Sequence, residues 1–151
     1  MITVELDNFS LKEICQSGQC FRMYETAENT YELIAGDKYL KMTQEGSIIN
    51  FYCSDMEFIC YWVPYFDIDA DYSSYIAKIN PRDTYLVEAA ECGSGIRILQ
   101  QDLWEMIITF LISQQNNISR IKGCIERLCL KYGKHLRAQD GTEYCSFPTV
   151  E

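Results

Sequence analysis

The stretch that decides the fold runs from Ile98 to Arg137 and reads ILQQDLWEMIITFLISQQNNISRIKGCIERLCLKYGKHLR. Asp102 can accept the free amide hydrogens of a first helical turn, and Glu105, three residues later, can reach back to complete a capping box. A helix is therefore predicted to start directly after Asp102. Eight of the ten residues from 103 to 112 are apolar, so this helix is expected to be buried nearly all round.

A run of uncharged hydrogen-bonding side chains, SQQNN at residues 113 to 117, follows the apolar helix. We call residues 114 to 117 the amide loop. Asn117 can cap a second helix, which Gly133 is expected to end in a left-handed conformation. The predicted core face of the second helix has apolar residues three or four positions apart, namely Ile118, Ile121, Ile125 and Leu128.

The charge of the chain is unevenly distributed. The whole chain carries 13 Lys and Arg against 22 Asp and Glu, a formal net charge of -9, which by itself argues against a nucleic-acid partner. Residues 118 to 137 nevertheless hold six basic residues and one acidic residue, a net charge of +5. A basic helix is ordinarily a solvated surface, but its position directly after the amide loop favours contact with nucleic acid.

Composition limits the class of protein. At 151 residues and 48% hydrophobic, the chain can bury a core. It has no apolar run long enough to span a membrane, and its first ten residues do not resemble a signal peptide. Its eight cysteines form no C-x-x-C pair and are accompanied by one histidine. We therefore expect no metal and no cofactor, and cysteines that stay reduced, mostly as small core side chains, in a cytoplasmic protein.

The first half of the chain is typical of an antiparallel sheet. Ser17 and Gly18 form an ordinary turn signal, in which glycine supplies a positive φ. Strands are predicted after this turn at residues 21–25, 30–35, 38–43 and 48–52, with connecting turns at Glu28–Asn29, Gly36–Asp37 and Glu45–Gly46. Short helices are predicted at residues 56–66, ended by Pro64, from Asp71 to Lys78, and from Asp83 to Cys92. Residues 93–95, Gly-Ser-Gly, are predicted to be a helix stop and linker.

Four segments together resemble the N-terminal half of 8-oxoguanine DNA glycosylases: SGQCFRM (17–23), YFDID (65–69), GIRILQQD (95–102) and SQQNNISRIKGCIERLCLKYG (113–133). The resemblance implies an α+β fold. An antiparallel β-sheet domain with flanking helices, similar to one repeat of the TATA-binding protein, is expected at residues 1–93. The opening helices of an all-α glycosylase domain are expected at residues 94–151. The family flips oxidised guanine out of double-stranded DNA before excising it, so such DNA is the implied partner, with no membrane involved.

The resemblance also implies roles for individual residues. Gly18 matches the glycine whose backbone carbonyl faces N7 of the flipped base. Guanine has an acceptor at N7, whereas 8-oxoguanine carries N7–H there, so this carbonyl favours the oxidised base by about 1–3 kcal/mol.

The amide loop matches the family's contact with the base left unpaired after flipping. Gln115, Asn116 and Asn117 stand where the family has three asparagines, and Gln115 occupies the position of the inserted one, with an additional methylene. Arg120 matches the arginine that reads the stranded cytosine. Lys122 is a weaker candidate, for a phosphate contact.

No lysine matches the family's nucleophile, and its catalytic aspartate and helix-hairpin-helix have no counterpart, so we predict no catalytic residue in this chain. The chain is expected to be an inactive N-terminal part of a bifunctional glycosylase and lyase that acts through a Schiff base. Two alternatives stay open: part of a glycosylase for another damaged base, such as an alkylated purine, or a non-catalytic module that binds a protein. Because the first helix is so apolar, the chain is also expected to self-associate through its two helices.

Overall fold

The structure, a computed structural model, describes residues 1–150. Its larger part is a five-stranded antiparallel sheet with strand order β1-β5-β4-β3-β2. The strands are β1 (Ile2–Glu5), β2 (Met23–Ala27), β3 (Thr30–Ala35), β4 (Lys38–Glu45) and β5 (Ile48–Tyr52). The α+β fold and strands β2 to β5 are as predicted from the sequence, whereas β1, which pairs with β5, was not predicted.

The predicted turns connect these strands. Asn29, Gly36 and Gly46 all have positive φ, which hairpin turns require and which Gly and Asn tolerate. Along β3 the burial pattern alternates, with Tyr31 and Leu33 on the buried face. This period of two directs one face of the sheet toward the core.

Helices cover the buried face of the sheet. Helix α1 (Leu11–Gln16) is followed, after the sheet, by α2 (Asp55–Glu57), a π-helical turn (Phe58–Trp62) and α3 (Val63–Tyr65). The helical region predicted at residues 56–66 is observed without a break at residues 55–65, and Pro64 lies in its last turn, one residue before it ends. The packed core includes five edge-on or tilted aromatic rings: Phe9, Phe51, Phe58, Trp62 and Phe66.

Two short helices follow, α4 (Tyr72–Ile76) and α5 (Thr84–Cys92). The side chains of Asp71 and Asp83 cap their N-termini, as predicted, by accepting hydrogen bonds from backbone N–H groups. Neither helix has a buried residue. They are therefore peripheral to the core.

Residues 95 to 101 form an extended segment that is bound tightly to the sheet domain. Gly95 is buried with a φ of 84°, and a Cβ there would lie 2.6 Å from the Ser10 side chain. The buried Arg97 guanidinium donates four hydrogen bonds to backbone carbonyls of two loops and lies 4.2 Å from the Tyr72 ring centroid. The predicted division into domains at residues 1–93 and 94–151 stays a prediction.

The second half of the chain contains α6 (Leu103–Ser113), α7 (Ile118–Tyr132) and a hairpin of β6 (His135–Arg137) and β7 (Glu143–Cys145), which was not predicted. The expectation that α6 is buried nearly all round was wrong for this chain. Leu103, Phe110 and Leu111 are 64, 62 and 61% exposed, because the other described residues contact α6 on one side only. Its buried residues are Glu105 and Thr109.

Helix α7 buries Ile121, Ile125 and Cys129 against Phe147, whereas the predicted core residue Ile118 is exposed. Its capping by Asn117 is as predicted. Gly133 ends the helix, but the expected left-handed conformation was wrong, since its φ is -78°. Glycine is required there because a Cβ would lie 2.1 Å from the Ser146 carbonyl oxygen. None of the helices in the described part of the chain has the length and apolar character needed to cross a lipid bilayer.

Candidate nucleic-acid interface

The amide loop is held in shape by its two asparagines. The Asn116 Nδ2 donates to the Ile112 carbonyl at 3.1 Å, and its Oδ1 accepts from the Asn117 N–H at 3.0 Å. The Asn117 Oδ1 in turn accepts from the Arg120 N–H at 3.0 Å, which starts α7. Both asparagine side chains are therefore used to hold the loop between the two helices.

Gln115 differs from its neighbours. Its φ of 51° lies in the left-handed region, which costs a non-glycine residue about 1–2 kcal/mol. The side chain is exposed and makes no hydrogen bond to another residue within 1–150. The loop thus holds one free amide side chain at its tip, in a conformation that only the surrounding structure maintains.

Arg120 lies on the first turn of α7 and is exposed. Arg127 and Lys131, seven and eleven residues further on, share its face of the helix. Both are also exposed. Three of the six basic residues counted in residues 118 to 137 therefore lie along one exposed face of α7, the basic surface, which begins beside the amide loop.

Lys122 points away from that surface. Its Nζ donates to the Met23 carbonyl at 3.0 Å and lies 4.6 Å from the Tyr24 ring centroid. The neighbouring Tyr24 hydroxyl donates to Glu126 at 2.9 Å. Lys122 thus helps to hold α7 against β2, and its role as a phosphate contact stays a prediction.

The turn that contains Gly18 follows α1. Gly18 is exposed with a φ of 76°, as the turn signal predicted, and no atom lies within 4 Å of where its Cβ would be. The Ser17 Oγ holds the turn by donating to the Ile14 carbonyl at 2.8 Å. The base-recognition role of Gly18 stays a prediction.

Gln19 fixes this turn to the extended segment. Its Nε2 donates to the Arg97 carbonyl at 2.9 Å, and its Oε1 accepts from the Leu99 N–H at 3.1 Å, so the side chain pairs with the segment as a strand would. The backbone carbonyl of Gln19 also accepts a hydrogen bond from the Gln101 Nε2 at 2.7 Å. Gln19 was not among the site residues predicted from the sequence, and only its place in the segment SGQCFRM (17–23) could have indicated it.

A buried ionic pair joins the sheet to α6. Arg22 and Glu105 are 4 and 7% exposed, and their closest nitrogen and oxygen atoms are 3.9 Å apart. Asp102 caps α6 as predicted, but the second half of the predicted capping box was wrong. The Glu105 side chain turns to the sheet, where its Oε2 accepts from the Gly36 N–H at 2.8 Å. Burial raises the pKa of Glu105.

Arg22 contacts the hairpin as well, because its guanidinium donates to the Cys145 carbonyl. The Phe147 N–H donates to the Gly36 carbonyl at 2.8 Å. The sheet, α6 and the hairpin therefore meet at one buried polar cluster, formed by Arg22, Glu105 and the backbone of Gly36. Among residues 1–150, no group of three or more His, Cys, Asp or Glu side chains is placed to hold a metal ion.

The comparisons with known proteins agree with this fold. The model of the family described as 8-oxoguanine DNA glycosylase, N-terminal domain, matches residues 1–107. The chain therefore belongs to this family.

The chain is similar to the N-glycosylase/DNA lyase of Saccharomyces cerevisiae, with 29% identity over 165 residues that cover 99% of this chain and 43% of that protein. The apo structure of the Clostridium acetobutylicum 8-oxoguanine glycosylase/lyase is 37% identical, with a TM-score of 0.89, over 97% of this chain and 51% of that chain. The complex of that enzyme with double-stranded DNA containing cytosine opposite 8-oxoG is 35% identical, with a TM-score of 0.90, over 99% of this chain and 55% of that chain. The chain thus spans about half the length of these relatives, or less.

A more distant likeness concerns the fold alone. The 3-methyladenine DNA-glycosylase of Archaeoglobus fulgidus is 12% identical, with a TM-score of 0.70, over 99% of this chain and 56% of that chain. The sheet followed by helices is therefore shared with a glycosylase for another base.

Proposed function

We propose that the chain forms the N-terminal, DNA-contacting part of an 8-oxoguanine N-glycosylase/DNA lyase that acts on double-stranded DNA containing oxidised guanine. Membership of the family and the likeness to the Clostridium acetobutylicum enzyme bound to DNA support this proposal. The single observation that carries it is the amide loop, in which two asparagines are used internally and Gln115 is left exposed in a left-handed conformation.

The chemistry of base flipping explains the use of such a side chain. Removing a base from the duplex costs a few kcal/mol of stacking and pairing, and a side chain that fills the space offsets part of this cost. The Gln115 amide both donates and accepts hydrogen bonds. It can therefore occupy the space of the flipped base in the stack and hydrogen-bond to the polar groups that this base leaves unpaired. Arg120, five residues after Gln115 and on α7, supplies donors for the acceptors of the unpaired cytosine.

Selection of the oxidised base is assigned to Gly18. Its turn is exposed and free of contacts at the Cβ position, so a base can approach the backbone closely. A carbonyl at this point accepts from the N7–H of 8-oxoguanine and meets a lone pair in guanine. The difference is about 1–3 kcal/mol.

Binding of the 151-residue chain to short duplexes tests the proposal. We expect tighter binding to a duplex with an abasic-site analogue opposite cytosine than to the intact duplex. Gln115→Ala and Arg120→Ala should each reduce this preference about tenfold, the equivalent of about 1.4 kcal/mol. Lys78→Ala, at an exposed position outside the interface, is the matched control for lost charge. No preference for the abasic duplex in the unmodified chain would contradict the proposal.

We expect no lyase chemistry from this chain by itself. A nucleophilic lysine needs desolvation or a neighbouring cation, and none of the seven lysines is buried in the described part of the chain. Incubation with an abasic duplex and borohydride should therefore give no covalent adduct. An adduct that disappears when one lysine is replaced would identify a nucleophile and refute this expectation.

We also propose that the chain self-associates through the outer face of α6, with a second copy as the partner. Leu103, Ile107, Phe110 and Leu111 form a contiguous exposed apolar surface, and such surfaces usually mark interfaces. Sedimentation at micromolar concentration should show dimers, which Leu111→Glu should dissociate. Leu86→Glu makes the same change at an exposed leucine of α5 and should leave them intact. A monomer in the unmodified chain would refute the proposal.

Finally, we propose a reducing, cytoplasmic location, supported by eight free cysteines. Burial raises the pKa of Cys20 and Cys129 to about 11, so these thiols pack as small apolar groups. Alkylation of the protein purified without reductant should modify the exposed Cys60 and Cys92 first and all eight after unfolding. Disulfide-linked peptides in protein isolated from cells would count against this location.

A further inference from the structure

Helix α6 packs on the sheet through a polar face, which is unusual for a helix. Its outer face is apolar, and the two residues that it buries, Glu105 and Thr109, are polar. Apolar contacts are non-directional, whereas hydrogen bonds require defined distances and angles. The position of this end of α6 is therefore set by directional contacts. The Glu105 carboxylate meets the Gly36 N–H at 2.8 Å and Arg22 at 3.9 Å on the sheet side, and the Trp104 Nε1 donates to the Pro148 carbonyl at 3.0 Å.

The same residues connect the two parts of the candidate interface. Glu105 is in the first turn of α6, and the amide loop follows the last turn of this 11-residue helix. A helix of this length is about 16 Å long and transmits a displacement of one end to the other. Arg22 lies four residues after Gly18, and Gln19 fixes the intervening turn to the extended segment that leads into α6.

The Arg22–Glu105 pair contributes little to the free energy of unfolding, but it helps to define the position of α6. Taking two charges out of water offsets much of their attraction. A separation of 3.9 Å is outside hydrogen-bonding range, and the Arg22 Nη1 has no hydrogen-bond partner among residues 1–150. What the carboxylate does fix is the distance from α6 to the turn between β3 and β4.

We propose that Glu105 is a positioning residue, which with Arg22 and the Gly36 N–H sets where the amide loop lies relative to Gly18. Its value for recognition rests on the proposed function, because a base flipped toward Gly18 leaves its space in the duplex at Gln115. The position itself can be measured without DNA.

Nuclear magnetic resonance of the 15N-labelled chain reports on the position of the amide loop relative to Gly18. Glu105→Leu removes the carboxylate and should shift or split the backbone amide signals of Gly18 and the amide loop. Glu105→Gln keeps an acceptor for the Gly36 N–H and should largely retain them. Leu40→Ala, in the sheet core, is the control for general loss of stability and should leave these signals in place.

Glu105→Asp keeps the charge but shortens the side chain by one methylene, so it provides a second test if the leucine variant fails to fold. It should also shift the amide-loop signals. Unchanged loop signals in every folded Glu105 variant would overturn the proposal.

A double-mutant cycle tests the consequence for DNA. Gln115→Ala should cost about tenfold in preference for the abasic duplex in the unmodified chain and less than about twofold in Glu105→Asp, because two residues this far apart are expected to act additively unless one displaces the other through the backbone. Equal losses in both backgrounds would overturn the positioning role. A chain that shows no preference for abasic DNA would refute the proposed function, whereas the resonance measurement would still decide this inference.

Discussion

The sheet domain and α6 bury opposite kinds of residue. The sheet directs Leu33, Leu40, Phe51 and other apolar side chains inward and leaves none of these three exposed. Helix α6 directs Glu105 inward and most of its apolar residues outward. The sheet domain thus contains a complete core of its own, whereas α6 leaves an apolar face exposed.

Matched leucine substitutions give the largest expected effect. Leu33 is 0% exposed and Leu111 is 61% exposed. Leu33→Ala should lower the free energy of unfolding by about 2–5 kcal/mol, through lost burial and a cavity. Leu111→Ala should change it by no more than about 0.5 kcal/mol. Urea denaturation at low protein concentration measures both, and similar losses would show that α6 is covered in solution.

Two glycines provide the next comparison, between α7 and the hairpin. A Cβ at Gly133 would lie 2.1 Å from the Ser146 carbonyl oxygen, so Gly133→Ala must separate α7 from the hairpin and should cost about 1–3 kcal/mol. Gly141 has open space around its Cβ position and a φ of 91°. Gly141→Ala is the control that adds backbone strain without displacing an element. Thermal unfolding of both variants decides whether the close contact at Gly133 is present.

Replacing Gln115 by glycine should change the free energy of unfolding by less, and in the opposite direction. Because its φ of 51° suits glycine, Gln115→Gly should stabilise the free chain, or leave it unchanged, by relieving up to about 1 kcal/mol of strain. The same change should weaken binding to the abasic duplex. Asn116→Gly, which removes the side chain that bonds to Ile112, should lower stability. If both changes destabilise the chain equally, Gln115 has a structural role.

The smallest expected effect is a pH dependence. Burial raises the pKa of Glu105 in the folded chain, so its contribution to stability is present below the unfolded-state pKa and is lost as pH rises through the folded-state pKa. Glu105→Gln should therefore gain stability relative to the unmodified chain as pH rises above about 4.3, the ordinary pKa of a glutamate. Thr109→Val, on the same buried face, removes no titrating group, and its difference from the unmodified chain should stay constant. Denaturation at several pH values measures both differences.

Local signals explain which parts of the fold could be predicted. The turns at Asn29, Gly36 and Gly46 and the caps at Asp102 and Asn117 depend on neighbouring residues, so the sequence alone indicated them. Strand β1 and the β6–β7 hairpin could not be predicted. Each strand is short, and the partner of β1 lies far along the chain in β5.

Long-range contacts explain what was missed at the candidate interface. Motif matching singled out Gly18, Gln115 and Arg120, because the resemblance to the family implied a role for each. It gave no reason to separate Glu105 from an ordinary capping residue, because its partners Gly36 and Arg22 belong to the sheet. A local pattern cannot indicate which of two available partners a carboxylate will choose.

The four hydrogen bonds of Arg97 have a consequence for synthesis. Two of the carbonyls that accept them, those of Asp7 and Asn8, precede Arg97 by 90 and 89 residues. At about 5–20 residues per second, the ribosome exposes these carbonyls roughly 5–20 s before their donor. During this interval the nascent sheet lacks the guanidinium that joins its loops, and the paired segment from Gly95 to Gln101 is also missing. The contacts that Arg97 and residues 95 to 101 make with these loops can therefore form only after translation has passed Gln101.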